Sequence, residues 1–426
     1  MAKEKLINLV AADMGYGHQR AAYPLLGLSG GEMITVNDYK GIPEWEKDIW
    51  LGNLKSYENI SRFKKVPVIG KGVFATMNYL QRIKPFYPFR DLSKPTLQQK
   101  YFYKLIKKGL GKDLMEKLGD SRLPLVTTFF VGMYMAEEHN YRGDIYAVVC
   151  DADISRAWAP LNAKRSRVKF FVPNSQVKAR LIMYGVKEDN IIITGFPLPT
   201  ENIGEKKEIL KKDLAVRIAN LDVDYVYREK EKALLKKIIP DTLENRKKKA
   251  ISITFAVGGA GAQKEIGGEI VKELAPFIVK NEFVVNLVAG IRPEVKDYFE
   301  MVVKDNNLKL GKDVNIIFHK DKIEYFKLFN KTLRQTDILW TKPSELSFYS
   351  GLGLPIIMSE TVGSQEDFNR AWLIAIGAGI DSKDVRHVDE WLFDMLKSGR
   401  LARAAMDGFL NAENQGTYNI EKEIKK

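Results

Sequence analysis

Cysteine is almost missing from this chain: Cys150 is the only one in 426 residues. That excludes a disulfide framework within the chain and argues against a cysteine-ligated zinc centre. Histidine is nearly as scarce. His18, His139, His319 and His387 are scattered at no metal-ligand spacing, so no metal is expected, and the last three read as structural. No apolar run approaches the ~18 uncharged residues of a membrane-spanning helix. The opening "MAKEKLINLVAADMG" has no long apolar core before Asp13, so no signal peptide is expected and a cytoplasmic location fits. A Walker A pattern is absent, and so is the third glycine of a dinucleotide fingerprint.

Acidic residues are under-represented, 54 against 67 basic, for a net charge of +13. Such a balance suits an anionic partner such as nucleic acid, an anionic membrane face or a phosphorylated substrate; a lysine-rich surface would give the same total. At roughly 100–200 residues per domain the length suggests two domains.

What is present is an alternation of short apolar runs with helix-like stretches. Residues 6–12, 33–37, 123–130, 144–150 and 168–173 read as buried strands, and 97–118 reads as helix between them. The pattern restarts after residue 249, with strands expected at 250–259, 283–290, 314–319, 337–340 and 354–359. Strands alternating with helices indicate parallel sheets covered on both faces, so the fold class is α/β with one architecture used twice. The charged stretch 205–249 is a linker or an inserted helical hairpin.

Each half places glycines where its first strand meets its first helix. One turn reads "GYGH" (Gly15, Gly17, His18); the other reads "GGAGAQ" (Gly258, Gly259, Gly261, Ala262). Glycine lets backbone N–H groups approach a ligand closely, and a helix N-terminus adds partial positive charge; a tight strand-to-helix turn is the plainer reading. Asp151 and Asp153 follow a buried strand, at the end where α/β sheets hold ligands, or else they cap the next helix. Thr341 and Lys342 follow another strand, where a lysine can neutralise a phosphate. Gln365, Glu366 and Asn369 form "QExxN" at the start of a helix.

These stretches together resemble a family. "GYGH", "VCDADISRAW" (149–158), "FFVPNSQVKARLIMYGVKEDNIIITGFPL" (170–198), "FAVGGAGAQ" and "LWTKPSELSFYSGLGLPIIMSETVGSQEDFNRAWLIAIGAGI" (339–380) are similar to the two-domain glycosyltransferases that make monogalactosyldiacylglycerol, and to the peptidoglycan N-acetylglucosaminyltransferases acting on lipid I. Ser344 and Glu345 stand where that family has paired glycines, and Arg156 stands near its second histidine. The resemblance implies the GT-B architecture: two Rossmann-like domains facing a central cleft. Residues 1–200 would hold the acceptor and face a membrane. Residues 201–249 would be the linker or insertion, 250–385 would hold a nucleotide-diphosphate sugar, and 386–426 would be C-terminal helices.

The implied reaction is transfer of a sugar, with inversion, from a UDP-sugar to a lipid or lipid-linked acceptor, with no cofactor. His18, Asp151 and Asp153 would be catalytic, as proton acceptors. Gly15, Gly17, Gly258, Gly259, Gly261, Ala262, Thr341, Lys342, Glu345, Gln365, Glu366 and Asn369 would bind substrates. A nucleotide-sugar 2-epimerase and a non-catalytic nucleotide-sugar-binding protein remain alternatives on the same fold. The epimerase would need several acid/base groups at the donor and no acceptor platform.

One basic segment stands apart. Residues 62–94 hold eight lysines and arginines against one acid, Asp91, interleaved with aromatic and aliphatic side chains. Cations beside apolar groups suit an anionic lipid surface; nucleic acid would tolerate the same composition, and aromatics in a core would produce it too. The family carries a comparable segment, so the resemblance favours a peripheral contact with the inner face of the cell membrane, and no nucleic acid is expected.

Overall fold

The computed structural model describes residues 4–52, 83–119, 121–239, 249–258, 261, 263–361 and 363–426. Gly259, Ala262 and most of the basic segment, including Lys64, Lys65, Lys71 and Arg82, lie outside the described residues. The chain divides into two compact units. The first is Met1–Pro197 with Val362–Phe368 and Gln415–Lys426; the second is Leu198–Thr361 with Asn369–Asn414.

In the first unit the described strands are β1 (Asn8–Ala11), β2 (Ile34–Thr35), β3 (Leu125–Thr127), β4 (Ile145–Val148), β5 (Lys169–Val172) and β6 (Ile191–Ile193). They form a parallel sheet in the order β2-β1-β3-β4-β5-β6. The strands read as continuous apolar runs because both faces are covered. Leu9, Val126, Val148 and Phe171 share one core with Leu25, and the chain's last helix, Gly416–Ile424, adds Ile420 to it.

The second unit repeats the plan with β7 (Ile251–Ala256), β8 (Phe283–Gly290), β9 (Val314–Phe318), β10 (Ile338–Thr341), β11 (Ile356–Met358) and β12 (Gly379–Asp381). The order is β12-β11-β10-β7-β8-β9, again parallel. The α/β class and two Rossmann-like domains are therefore as the sequence implies.

One stretch differs from expectation. The helix expected over 97–118 is two helices, Leu97–Lys107 and Lys112–Leu118. Gly109 (φ 114°) and Gly111 (φ 80°) take left-handed conformations that break it. The charged stretch 205–249 is largely helical in its described part, with Lys211, Lys212, Lys236 and Lys237 exposed and an apolar face turned inward. Its longest helix, Glu208–Leu221, buries Leu210, Leu214, Ile218 and Leu221 in the second unit. Arg217 anchors it from within. Its guanidinium donates to the carbonyls of Thr336 (2.8 Å), Leu352 (2.8 Å), Gly353 (3.1 Å) and Leu333 (3.3 Å). Burial pushes its pKa down to about 10, so the cation persists at neutral pH.

Candidate functional site

In each sheet the strand order reverses at one place, and crevices outside the strands' carboxyl ends at such places are where α/β folds bind ligands. In the first unit the reversal falls between β1 and β3. In the second it falls between β7 and β10. His18 stands at the first, and Gly258, Gly261 and Lys342 stand at the second.

At the first reversal, His18 enters helix Gly17–Ala22 directly after the β1 turn. Its Nδ1 lies 2.6 Å from the carbonyl of Thr128, which follows β3. Thr128 returns the contact, its hydroxyl donating to the His18 carbonyl at 2.8 Å. A carbonyl can only accept, so Nδ1 carries the hydrogen, and in the neutral ring the lone pair is on Nε2. The ring is further fixed by Phe129, edge-on at 4.9 Å between centroids, and by Trp158 at 6.4 Å. Cys150 Sγ lies 3.4 Å from Nδ1. Gly15 (φ 90°) makes the turn itself, and Asn37 pins it by bonding both the N–H and the carbonyl of Asp13. Thr128 has no signature in the sequence because its part is played by backbone. The arrangement holds one imidazole in one tautomer with its basic nitrogen determined, as a general base requires.

The two aspartates separate. Asp151 is half-buried just beyond β4. Asp153 is fully buried, and its Oδ1 and Oδ2 accept from Arg180 Nε (2.9 Å) and Nη2 (2.7 Å). Ile154 N–H (2.8 Å) and Gln176 Nε2 (2.9 Å) take the remaining positions. A carboxylate bonded on all sides in this way has no place for a substrate proton. The catalytic role expected for Asp153 is thus replaced by a structural one. Arg156, near the family's second histidine, is structural as well, donating to the carbonyls of Ser93, Ala159 and Pro160.

The second reversal is lined by cations. Gly258 follows β7, and Gly261 (φ 69°) returns its N–H to the Gly258 carbonyl at 2.8 Å. A Cβ on Gly258 would stand 2.7 Å from Lys342 Cε, so the Lys342 stem lies directly on this glycine. On the other side a Cβ on Gly261 would stand 3.1 Å from Arg292 Cδ. Arg292 follows β8 and was not singled out in the sequence; the signal was "GIRPE", a cation placed just before a helix-opening proline. Gln263, in a left-handed conformation (φ 68°), donates to the Glu360 carbonyl at 3.0 Å and draws the loop after β11 to the turn.

Other expected ligands fare differently. Thr341 is buried and its hydroxyl donates to the Ala256 carbonyl at 3.2 Å, tying β10 to β7 rather than facing a ligand. Asn369 is buried, with its amide 3.4 Å from the Pro343 carbonyl, and so supports the Lys342 turn from behind. Glu345 opens the short helix Glu345–Leu352 three residues beyond Lys342. Gln365 and Glu366 open helix Ser364–Ala375, in a stretch grouped with the first unit.

A groove of about 910 Å³ lies away from this turn, toward the amino ends of β7–β9. Asn315, Asn286 and Ser252 line it, with Asn315 donating to Asn286 and Asn286 donating to Ser252 and to buried Thr254. Asp337 beside it is buried, which pushes its carboxyl up to about 6.

Comparison with known proteins bears on the fold. Residues 290–424 match a family described as a domain of unknown function, DUF6938. No curated protein sequence matches the chain. Among solved structures, MnaA of S. aureus, determined with UDP, is 11% identical at a TM-score of 0.50, covering 99% of this chain and 96% of that one. MurG of Acinetobacter baumannii is 13% identical at the same TM-score of 0.50, covering 99% of both chains. The fold is GT-B. The GT-B match spans both units, so the reversal points described above are those of the two Rossmann-like domains.

Proposed function

We propose that this chain is a glycosyltransferase that moves a sugar, with inversion, from a UDP-sugar to a lipid or lipid-linked acceptor. The observation that carries the proposal is the pairing of unlike reversal points: an oriented imidazole in one domain and a cation-lined glycine turn in the other. The chemistry divides accordingly. His18 Nε2 accepts the proton of the acceptor hydroxyl as that oxygen forms its bond to the anomeric carbon. The bond from the anomeric carbon to the diphosphate oxygen breaks, and Lys342 stabilises the charge that grows on the leaving group. Asp151 is the second candidate for the proton-accepting role, and Glu345 for a contact to a donor hydroxyl.

The acceptor side of the proposal draws on residues 83–94. Phe86, Tyr87 and Phe89 pack edge-on against one another with centroids 5.0–5.4 Å apart. Tyr87 is 68% and Phe89 66% exposed, with Leu97 and Tyr101 exposed on the helix that follows and exposed Lys84, Lys94 and Lys100 close by in sequence. Exposed rings together with exposed lysines suit an anionic lipid surface, on the inner face of the cell membrane in this reading. Among the described residues no helix is long and apolar enough to cross a membrane.

The test is incubation of the protein with labelled UDP-sugars and extracted membrane lipid. Label transferred to the lipid phase is the expected result. Release of an epimerised nucleotide sugar would assign the 2-epimerase reaction instead, and nucleotide binding without turnover would leave a binding protein.

A further inference from the structure

We infer that Arg292 is a second phosphate-binding cation, and that Arg292 and Lys342 together read the two phosphates of a nucleoside diphosphate. The inference rests on the nucleotide-sugar reading above and adds a residue and a phosphate count to it.

The geometry is bilateral. β7 has two neighbours in its sheet, β10 and β8, and each delivers one cation at its carboxyl end. Lys342 lies on Gly258, with Nζ 3.5 Å and Cε 2.7 Å from the place a Cβ would take. Arg292 lies on Gly261, with Nε 3.7 Å and Cδ 3.1 Å from the corresponding place. Glycine at both positions is therefore what lets both stems lie flat on the turn. The two glycines are joined by the Gly261 N–H to Gly258 carbonyl bond, so the two cations lie on residues that are themselves tied together.

The position of Arg292 is fixed by backbone. Pro293 opens helix Pro293–Asp305, and the N–H groups of Val295 and Lys296 both donate to the Arg292 carbonyl. Its guanidinium is 3.4 Å from the exposed Glu294 carboxylate, a loose contact between partly solvated groups. A phosphate offers the same planar fork two oxygens with more charge. A single phosphate engages one cation; a diphosphate engages both, so selectivity for diphosphate over monophosphate is the property that depends on Arg292.

The experiment is calorimetric titration of the full chain with UDP, UMP and uridine. Arg292→Gln should weaken UDP about tenfold, as loss of a charge-assisted hydrogen bond does, and leave UMP within about twofold. Arg292→Lys should recover part of the UDP affinity. Glu294→Gln removes the competing carboxylate and should tighten UDP about twofold, a gain that misfolding would not produce. An unchanged UDP-to-UMP ratio in Arg292→Gln, with wild-type binding of UDP intact, overturns the inference alone. If the wild-type chain binds none of the three ligands, the nucleotide-sugar reading itself falls.

Discussion

The turn after β1 and the turn after β7 occupy equivalent places in two similar sheets, and their surroundings are opposite in kind. The first is walled by Phe129, Trp158 and the Thr128 carbonyl; the second is flanked by Lys342 and Arg292. Both glycine turns are short and both open a helix, so the turns themselves do not set the chemistry. The strands alongside do. A carbonyl beyond β3 fixes how the His18 imidazole is held, while cations stand beyond β8 and β10.

The sharpest break of this comparison is at His18. Replacing His18 with Gln should lower sugar transfer by ~100- to 10,000-fold, the usual span for a lost general base. UDP affinity should stay within about twofold, because the donor seat is built from other residues. Equal losses of transfer and of UDP binding would remove the division of labour between the units.

Next in size is the loop that follows β4. Asp153→Ala leaves Arg180 buried without its carboxylate, and breaking such a pair typically costs ~3–5 kcal/mol. Urea unfolding should show that loss, whereas Asp151→Ala should leave stability nearly unchanged and lower transfer. The reverse pattern would exchange the roles assigned to the two aspartates.

The same substitution in each turn should then do different things. Alanine at Gly15 meets nothing within 4 Å but is held at φ 90°, so it should cost about 1 kcal/mol of stability with no effect on UDP. Alanine at Gly258 meets Lys342 and should weaken UDP about five- to tenfold, one displaced charge contact, with little change in stability. Melting curves with and without UDP separate the two.

The smallest effect concerns pH. Burial pushes the Glu46 carboxyl in the first unit from 4.5 up to about 7. The folded state holds this proton more tightly than the unfolded one. The group's contribution to stability is therefore full below pH 4.5 and lost as pH rises through about 7. Glu46→Gln keeps the acceptor for the Gly111 N–H and removes the charge, so it should stabilise more at pH 8 than at pH 5. In the second unit Asp337 should complete the same loss earlier, between 3.8 and about 6. Urea unfolding at the two pH values checks both windows.

Much of this fold was legible because parallel strands are buried on both faces and read as apolar runs. The strands expected at 283–290 and 314–319 stand at Phe283–Gly290 and Val314–Phe318. β6 and β12 were not anticipated. Where a residue type announces itself, as with His18 and Lys342, the sequence marked residues that the fold places at the two reversals. It was illegible where partners come from afar. "DAD" offers two aspartates, and only Arg180, brought over by the helix Ser175–Met183, decides which of them is buried. Charge misled as well: Arg217 sits in a lysine-rich stretch that looks solvated, yet it donates only to carbonyls in the interior.

The return of helix Gly416–Ile424 to the first unit also sets an order of assembly on the ribosome. The first unit's core contains Ile420, and Asn419 closes onto the Thr194 carbonyl at 2.8 Å. More than two hundred residues, Leu198–Asn414, are synthesised between most of that unit and its last helix, nearly all of them belonging to the second. At ~5–20 residues per second the first unit waits tens of seconds with its core unsealed. The second unit, whose residues emerge in nearly one piece, is complete before it, so the domain begun first is the domain finished last.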